Sequence, residues 1–114
     1  MPTFIKKIVA GPSWDQVNEF FFRLESRDEH VADPGFVLED EAGMQFPLGK
    51  IEFRREDVKR YRDLDKAETV DPEKDYPNCI LINAFSLDFR RRVTIIYIVD
   101  KNKGSCIIMS AEKK

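Results

Sequence analysis

The most regular hydrophobic pattern of the chain lies in its C-terminal third, where three short segments are apolar and rich in β-branched residues. They are Cys79 to Phe85, Val93 to Val99 and Cys106 to Met109. Apolar segments of this length, bounded by turn residues, are typical of strands. Ser86 to Asp88 predicts a turn, and Asp100 to Gly104 predicts a hairpin loop with glycine at its positive-φ position. We therefore expect a three-stranded antiparallel meander.

The N-terminal pattern predicts a strand followed by a helix. Thr3 to Ala10 is short and β-branched and stops before a Gly-Pro pair, which is typical of a strand that ends at a turn. Ser13 and Gln16 have the spacing of a helix capping box, and apolar side chains then recur at helical spacing. We expect this helix to span about residues 13 to 27. Its apolar stripe would be Trp14, Val17, Phe21 and Leu24.

The middle of the chain predicts short strands, a second helix and two loops. The strands are Phe36 to Glu39, Met44 to Phe46 and Lys50 to Arg54. From Arg55 to Leu64 apolar residues recur every third position, which indicates a short, highly charged helix. The polar segments 26–35 and 63–75 contain proline and few core-forming residues, so we expect loops there.

These elements predict one α+β domain over residues 1–114, with an N-terminal helix and a second short helix packed on a mainly antiparallel sheet. Val93 to Val99 is apolar at both sets of alternating positions, so we expect a central strand that is covered on both faces. The N-terminal helix would cover one face. The other face would need the second helix, the loops or a partner molecule.

Charge and composition narrow the classes of function. A formal net charge of −2 gives no overall attraction for a phosphate backbone, which disfavours nucleic acid as a partner. The N-terminal segment has too few consecutive apolar residues for a secretory signal, and no run approaches the roughly 18 apolar residues of a membrane span. We expect a cytoplasmic protein that does not associate with membranes.

The residues that most often carry chemistry form no recognisable site. Cys79 and Cys106 lie within apolar segments, without CxxC spacing, and His30 is the single histidine. Structural zinc usually needs four cysteine or histidine ligands, so we expect buried free thiols and no metal site. We also expect His30 to be a solvated loop residue. Because the chain contains no nucleotide-binding or nucleophile motif, we predict no cofactor and no catalytic residue.

One enzymatic alternative stays open at Pro2. Over about 15 residues, the order of Pro2, strand, Gly11 and capping box is similar to the arrangement in tautomerase-type enzymes. The resemblance implies that, once Met1 is removed, the amine of Pro2 acts as a base of lowered pKa. The resemblance ends there, because such a fold continues with a longer helix and then a parallel strand.

Basic residues interleaved with aromatic side chains suggest a second alternative, single-stranded nucleic acid. They cluster in two places, Arg54 to Arg62 and Arg90 to Arg92. Glu52, Glu56 and Asp57 dilute the first cluster. Pairing of these basic residues with acidic residues of the same chain is therefore the simpler interpretation.

Two acidic clusters predict a surface that binds a partner protein. The first is Glu39, Asp40 and Glu41, and the second includes Asp71, Glu73 and Asp75. Neither has the ligand spacing and glycine of a calcium loop. Acidic patches speed encounter with a basic partner. We therefore predict a small protein-binding module, in the form of an immunity-type inhibitor of a basic toxin or enzyme. A homodimer is left open.

Overall fold

Strands dominate the computed structural model, which describes residues 4–22, 29–60 and 79–110. These ranges contain β1 (Phe4–Ala10), β2 (Glu29–Ala32), β3 (Val37–Glu39), β4 (Gln45–Pro47), β5 (Ile51–Arg54), β6 (Val58–Arg60), β7 (Cys79–Ser86), β8 (Arg91–Ile98) and β9 (Lys103–Ile108). All of the described strand pairs are antiparallel. Together they form one sheet that curls into a half-barrel.

The strand order of the sheet is β2-β5-β7-β8-β9-β1-β3-β4, with β6 also paired to β7. The predicted C-terminal strands are present as β7, β8 and β9, and each pairs with the next. The first strand does not stay beside the second. Instead β1 lies between β9 and β3, and Phe4 is opposite Ile108. This pairing brings the two ends of the described chain into one sheet.

The α+β prediction is wrong, and its long N-terminal helix is the first reason. The capping box is confirmed, because the amide of Gln16 donates to Ser13 Oγ at 3.4 Å and the amide of Ser13 donates to Gln16 Oε1 at 2.9 Å. However, helix α1 spans only Trp14–Val17, and Asn18–Phe22 forms a π-helical turn. Consecutive aromatic side chains lose rotamer freedom in an α-helix. Residues 23–27 of the predicted helix lie outside the described residues.

The described part of the second predicted helix is half 3₁₀ turn and half strand. Arg55–Asp57 forms a single 3₁₀ turn, and β6 follows it directly. Val58 lies opposite Ile82 of β7 and is buried in the core. Pairing with a buried strand therefore overrides the weak helical stripe of this segment. Residues 61–64 lie outside the described residues.

The segment predicted as a loop over 26–35 contains an unexpected strand, β2. It pairs along the whole of β5, with His30 opposite Phe53 and Ala32 opposite Ile51. The ring centroids of His30 and Phe53 lie 5.8 Å apart. The solvated-loop interpretation of His30 is therefore wrong. Predicted loop 63–75 lies outside the described residues.

Strand β8 is central, as predicted, but its two faces differ. Val93, Ile95 and Tyr97 point into the core and are buried, whereas Ile96 on the opposite face is 37% exposed. Helix α1 and the π-helical turn contribute Val17 and Phe21 to the same core. We call the side of the sheet that faces this core the inner face, and the opposite side the outer face. The expectation that both faces are covered is therefore met on the inner face but not at Ile96 on the outer face.

Tyr97 is the largest fully buried side chain of the described core. Its ring packs edge-on against Phe36, with the centroids 5.1 Å apart. The hydroxyl lies 3.0 Å from the carbonyl oxygen of Pro12 and 2.9 Å from Oδ1 of Asn102, and its single proton is donated to one of them at a time. Gly11 permits this packing, because a Cβ there would lie 2.7 Å from the tyrosine ring.

The link between β8 and β9 differs from the predicted loop in its left-handed residue. Asn102, with φ 50°, takes the position expected for glycine, which its short polar side chain tolerates. Gly104 lies within β9, opposite Tyr97. A Cβ at Gly104 would overlap the carbonyl oxygen of Ile96. This glycine is thus needed for close approach of two strands and not for a positive φ.

The two cysteines are free and buried, as the sequence predicts. Cys79 lies on β7 opposite Ile98, and Cys106 lies on β9 opposite Ile95. Strand β8 separates them, and strand alternation places them on opposite faces of the sheet. A disulfide between them would therefore need the sheet to be rebuilt.

Alkaline pH should destabilise the protein through Tyr97 and Cys106. Burial raises the pKa of Tyr97 to about 12 from 10.0, and that of Cys106 to about 12 from 9.0. Between these values the unfolded chain has already released protons that the folded chain keeps. The contribution of these two groups to the free energy of unfolding is therefore fully present below pH 9 and is lost as pH rises towards 12. Urea midpoints measured from pH 8 to pH 11 should fall steadily.

The control for this pH dependence is the double variant Tyr97→Phe and Cys106→Ala. It lacks both groups, so its urea midpoint should fall less over the same range, even though its starting stability is lower. An identical slope in the two proteins would assign the alkaline loss of stability to other groups.

Candidate functional site

The first predicted acidic cluster is partly engaged in local structure. Asp40 Oδ1 accepts the amides of Ala42 and Met44, both at 2.9 Å, and thereby closes the turn between β3 and β4. Glu39 Oε2 accepts Nε2 of Gln45 at 3.2 Å. Glu41 lies at the exposed turn. Asp40 therefore has a structural role, and the other two carboxylates are accessible at one end of the sheet.

The second acidic cluster lies outside the described residues. Asp71, Glu73 and Asp75 all fall between β6 and β7, in a segment that the structure does not describe. Their part in binding a partner stays a prediction.

Two of the predicted basic residues lie in one groove, together with acidic residues. Arg54 and Arg92 line an open groove of about 320 Å³. Its other lining residues are Glu52, Phe53, Glu56, Asp57 and Phe85. The carboxylates in this groove outnumber the guanidinium groups, so it gives a phosphate backbone no continuous basic track.

The remaining predicted chemistry is not assembled in the described residues. Within ranges 4–22, 29–60 and 79–110, no three histidine, cysteine or acidic side chains converge as metal ligands. Pro2 lies outside the described residues, so the proline-base alternative stays a prediction. The parallel strand that the tautomerase-type resemblance would require is absent from the described pairs, all of which are antiparallel.

The outer face of β1, β9 and β8 carries a group of aliphatic side chains that sequence reasoning did not single out. Ile5 lies opposite Ile107, which lies opposite Thr94. In the next row along the strands, Lys7 lies opposite Ser105, which lies opposite Ile96. Because opposite residues share a face, these two rows form one continuous surface. We call Ile5, Ile96, Ile98 and Ile107 the isoleucine patch.

The isoleucine patch is accessible to solvent. Ile5 is 66% exposed and Ile96 is 37% exposed. Ile98 and Ile107 are half-buried. Clustered exposed aliphatic side chains on a sheet mark surfaces that another molecule covers more often than scattered single ones do.

A groove of about 560 Å³ opens at one end of the isoleucine patch. Its lining residues are Ile5, Lys6, Lys7, Ile98, Lys103, Gly104 and Ser105. Lys7 and Lys103 share the outer face with the two isoleucines, whereas Lys6 lies opposite the core residue Cys106 and so belongs to the inner face. The groove has no carboxylate in its lining. We call it the lysine groove. The sequence signal for it is weak, because Lys7 and Lys103 come onto one surface only through the pairing of β1 with β9.

Comparison with known proteins finds no family model, no curated protein and no solved structure that matches this chain. In the described residues, no helix has the length and apolar character needed to cross a membrane.

Proposed function

We propose that this chain is a protein-binding module and that the isoleucine patch is the centre of its binding surface. The observation that carries the proposal is the group of exposed aliphatic side chains on one side of an antiparallel sheet, whose other side contributes the core. Interfaces between proteins typically combine such an apolar centre with a polar rim. Lys7 and Lys103 provide charged groups at the border of this centre.

An immunity-type inhibitor is the specific form of this proposal. Such a protein needs one stable surface and no cofactor, and the backbone hydrogen bonds of a sheet hold that surface before the partner arrives. A preformed surface loses little conformational freedom on binding, which favours affinity. The acidic residues Glu39, Glu41, Asp71, Glu73 and Asp75 supply a predicted second contact with a basic region of the partner.

Capture from a lysate of the cells that make the protein tests this proposal with a matched pair of variants. The test variant combines Ile5→Gln and Ile96→Gln. The control variant combines Met44→Gln and Leu87→Gln, whose side chains are also 66% and 37% exposed but lie outside the isoleucine patch. Both variants keep the net charge of the chain.

We expect a protein partner to bind the wild type and the control, in the presence of nuclease, and to be weakened at least about tenfold by the test variant. Circular dichroism and urea midpoints establish that both variants are folded. Equal capture by the two variants, or no captured protein at all, would contradict the assignment of the isoleucine patch to protein binding.

A further inference from the structure

The lysine groove differs from the groove that contains Arg54 and Arg92 in that its lining has charges of a single sign. The groove that contains Arg54 and Arg92 holds three carboxylates, whereas the lining of the lysine groove contains no acid and has Lys7 and Lys103 on the outer face. Glu39 lies opposite Lys7 on β3 and shares its face, so its carboxylate offsets part of the charge of Lys7. The charges of the lining itself are all positive, on a chain whose net charge is −2.

The apolar part of the groove determines what kind of anion fits. Ile5 and Ile98 lie among the lysines and offer an aliphatic contact, which favours an aliphatic side chain of the bound molecule. The lining residues include no aromatic ring and no arginine, so they offer no platform on which nucleic-acid bases stack. A second copy of the chain related by a two-fold axis at this site would place lysines against lysines, which like-charge repulsion disfavours.

We propose that the lysine groove binds an acidic peptide segment of the partner protein, with carboxylates directed to Lys7 and Lys103 and an aliphatic side chain placed between Ile5 and Ile98. The inference rests on the proposed function, because it names the chemistry of the partner at one end of the isoleucine patch. The charge pairs at this open surface fix the register of the segment and speed encounter more than they add affinity.

Fluorescence anisotropy with a synthetic peptide tests the inference directly. The probe is a labelled heptapeptide of alternating glutamate and leucine, and its counterpart alternates lysine and leucine. The test variant combines Lys7→Glu and Lys103→Glu. The control combines Lys50→Glu and Lys59→Glu, which are exposed, lie outside the groove and change the net charge equally.

We expect the acidic peptide to bind the wild type and the control, with an affinity that falls as salt rises, and to bind the test variant about tenfold more weakly. Amide shifts in nuclear magnetic resonance spectra should be confined to residues of β1, β8 and β9. Equal binding of the lysine peptide, equal loss in both variants, or preferential binding to phosphatidylglycerol vesicles or single-stranded DNA would overturn the inference.

Lysate capture with the same lysine variants separates this inference from the proposed function. A partner that is lost with Ile5→Gln and Ile96→Gln but retained with Lys7→Glu and Lys103→Glu would leave the binding module standing and overturn the acidic segment. If the peptide binds as expected but capture does not depend on the isoleucine patch, then the proposed function fails and the groove does not.

Discussion

Replacing Tyr97 with alanine should lower the free energy of unfolding by about 3–5 kcal/mol, the usual loss when a large buried aromatic side chain is removed from a core. The ring is fully buried, lies edge-on to Phe36 and fills the space that Gly11 leaves open. Few neighbours can move into the vacated volume, because Gly11 has no side chain and β8 is held on both sides by other strands. Urea denaturation followed by circular dichroism measures the loss.

Tyr97→Phe is the matched control for this prediction. It keeps the ring and removes only the hydroxyl that lies 3.0 Å from the Pro12 carbonyl oxygen, so it should cost about 1 kcal/mol. The difference between the two variants isolates the packing of the ring. A phenylalanine variant as unstable as the alanine variant would mean that the hydrogen bond, and not the ring, dominates the role of this residue.

Gly104→Ala should be the most damaging small substitution in the described sheet, with a loss of about 3 kcal/mol or more. The added Cβ would overlap the backbone carbonyl of Ile96. A backbone atom in a paired strand cannot rotate away as a side chain can, so β8 and β9 would have to separate locally. Lowered thermal and urea stability should both report this strain.

The adjacent substitution Ser105→Ala provides the comparison. Ser105 is the next residue of the same strand and is half-buried, and its side chain points to the other face by strand alternation. We expect a change of no more than about 0.5 kcal/mol. If the two alanine variants were equally stable, the close approach at Gly104 would be relieved without cost, contrary to the prediction.

The sequence predicts the local elements of this fold better than their assembly. The capping box of Ser13 and Gln16 and the three C-terminal strands depend on neighbouring residues, and both are present. Strand β6 depends on Val58 reaching Ile82 of β7, a contact between segments that no local periodicity encodes. Strand β2 has only four residues, and the first two are polar, so its own pattern does not predict a strand. Its pairing with β5 makes it one.

The residues of the candidate site also come together only through the assembly of the strands. Its isoleucines and lysines are scattered over residues 5–7 and 96–107, and they meet because β1 is inserted beside β9. The hydrophobic pattern of β8 correctly indicated apolar side chains on both faces of this strand. The pattern of β8 could not show that the apolar outer face continues onto β1, because the pattern of one strand does not determine which strands lie beside it.

The pairing of Phe4 with Ile108 also constrains when the protein can fold during synthesis. Strand β1 leaves the ribosome first, yet one of its two hydrogen-bonded edges finds its partner only after β9 has been made. Until then, that edge of β1 and the edge of β8 that later pairs with β9 are both open to incorrect pairing with other strands. We expect the sheet to form late and cooperatively, so that chains truncated before Lys103 are prone to aggregation.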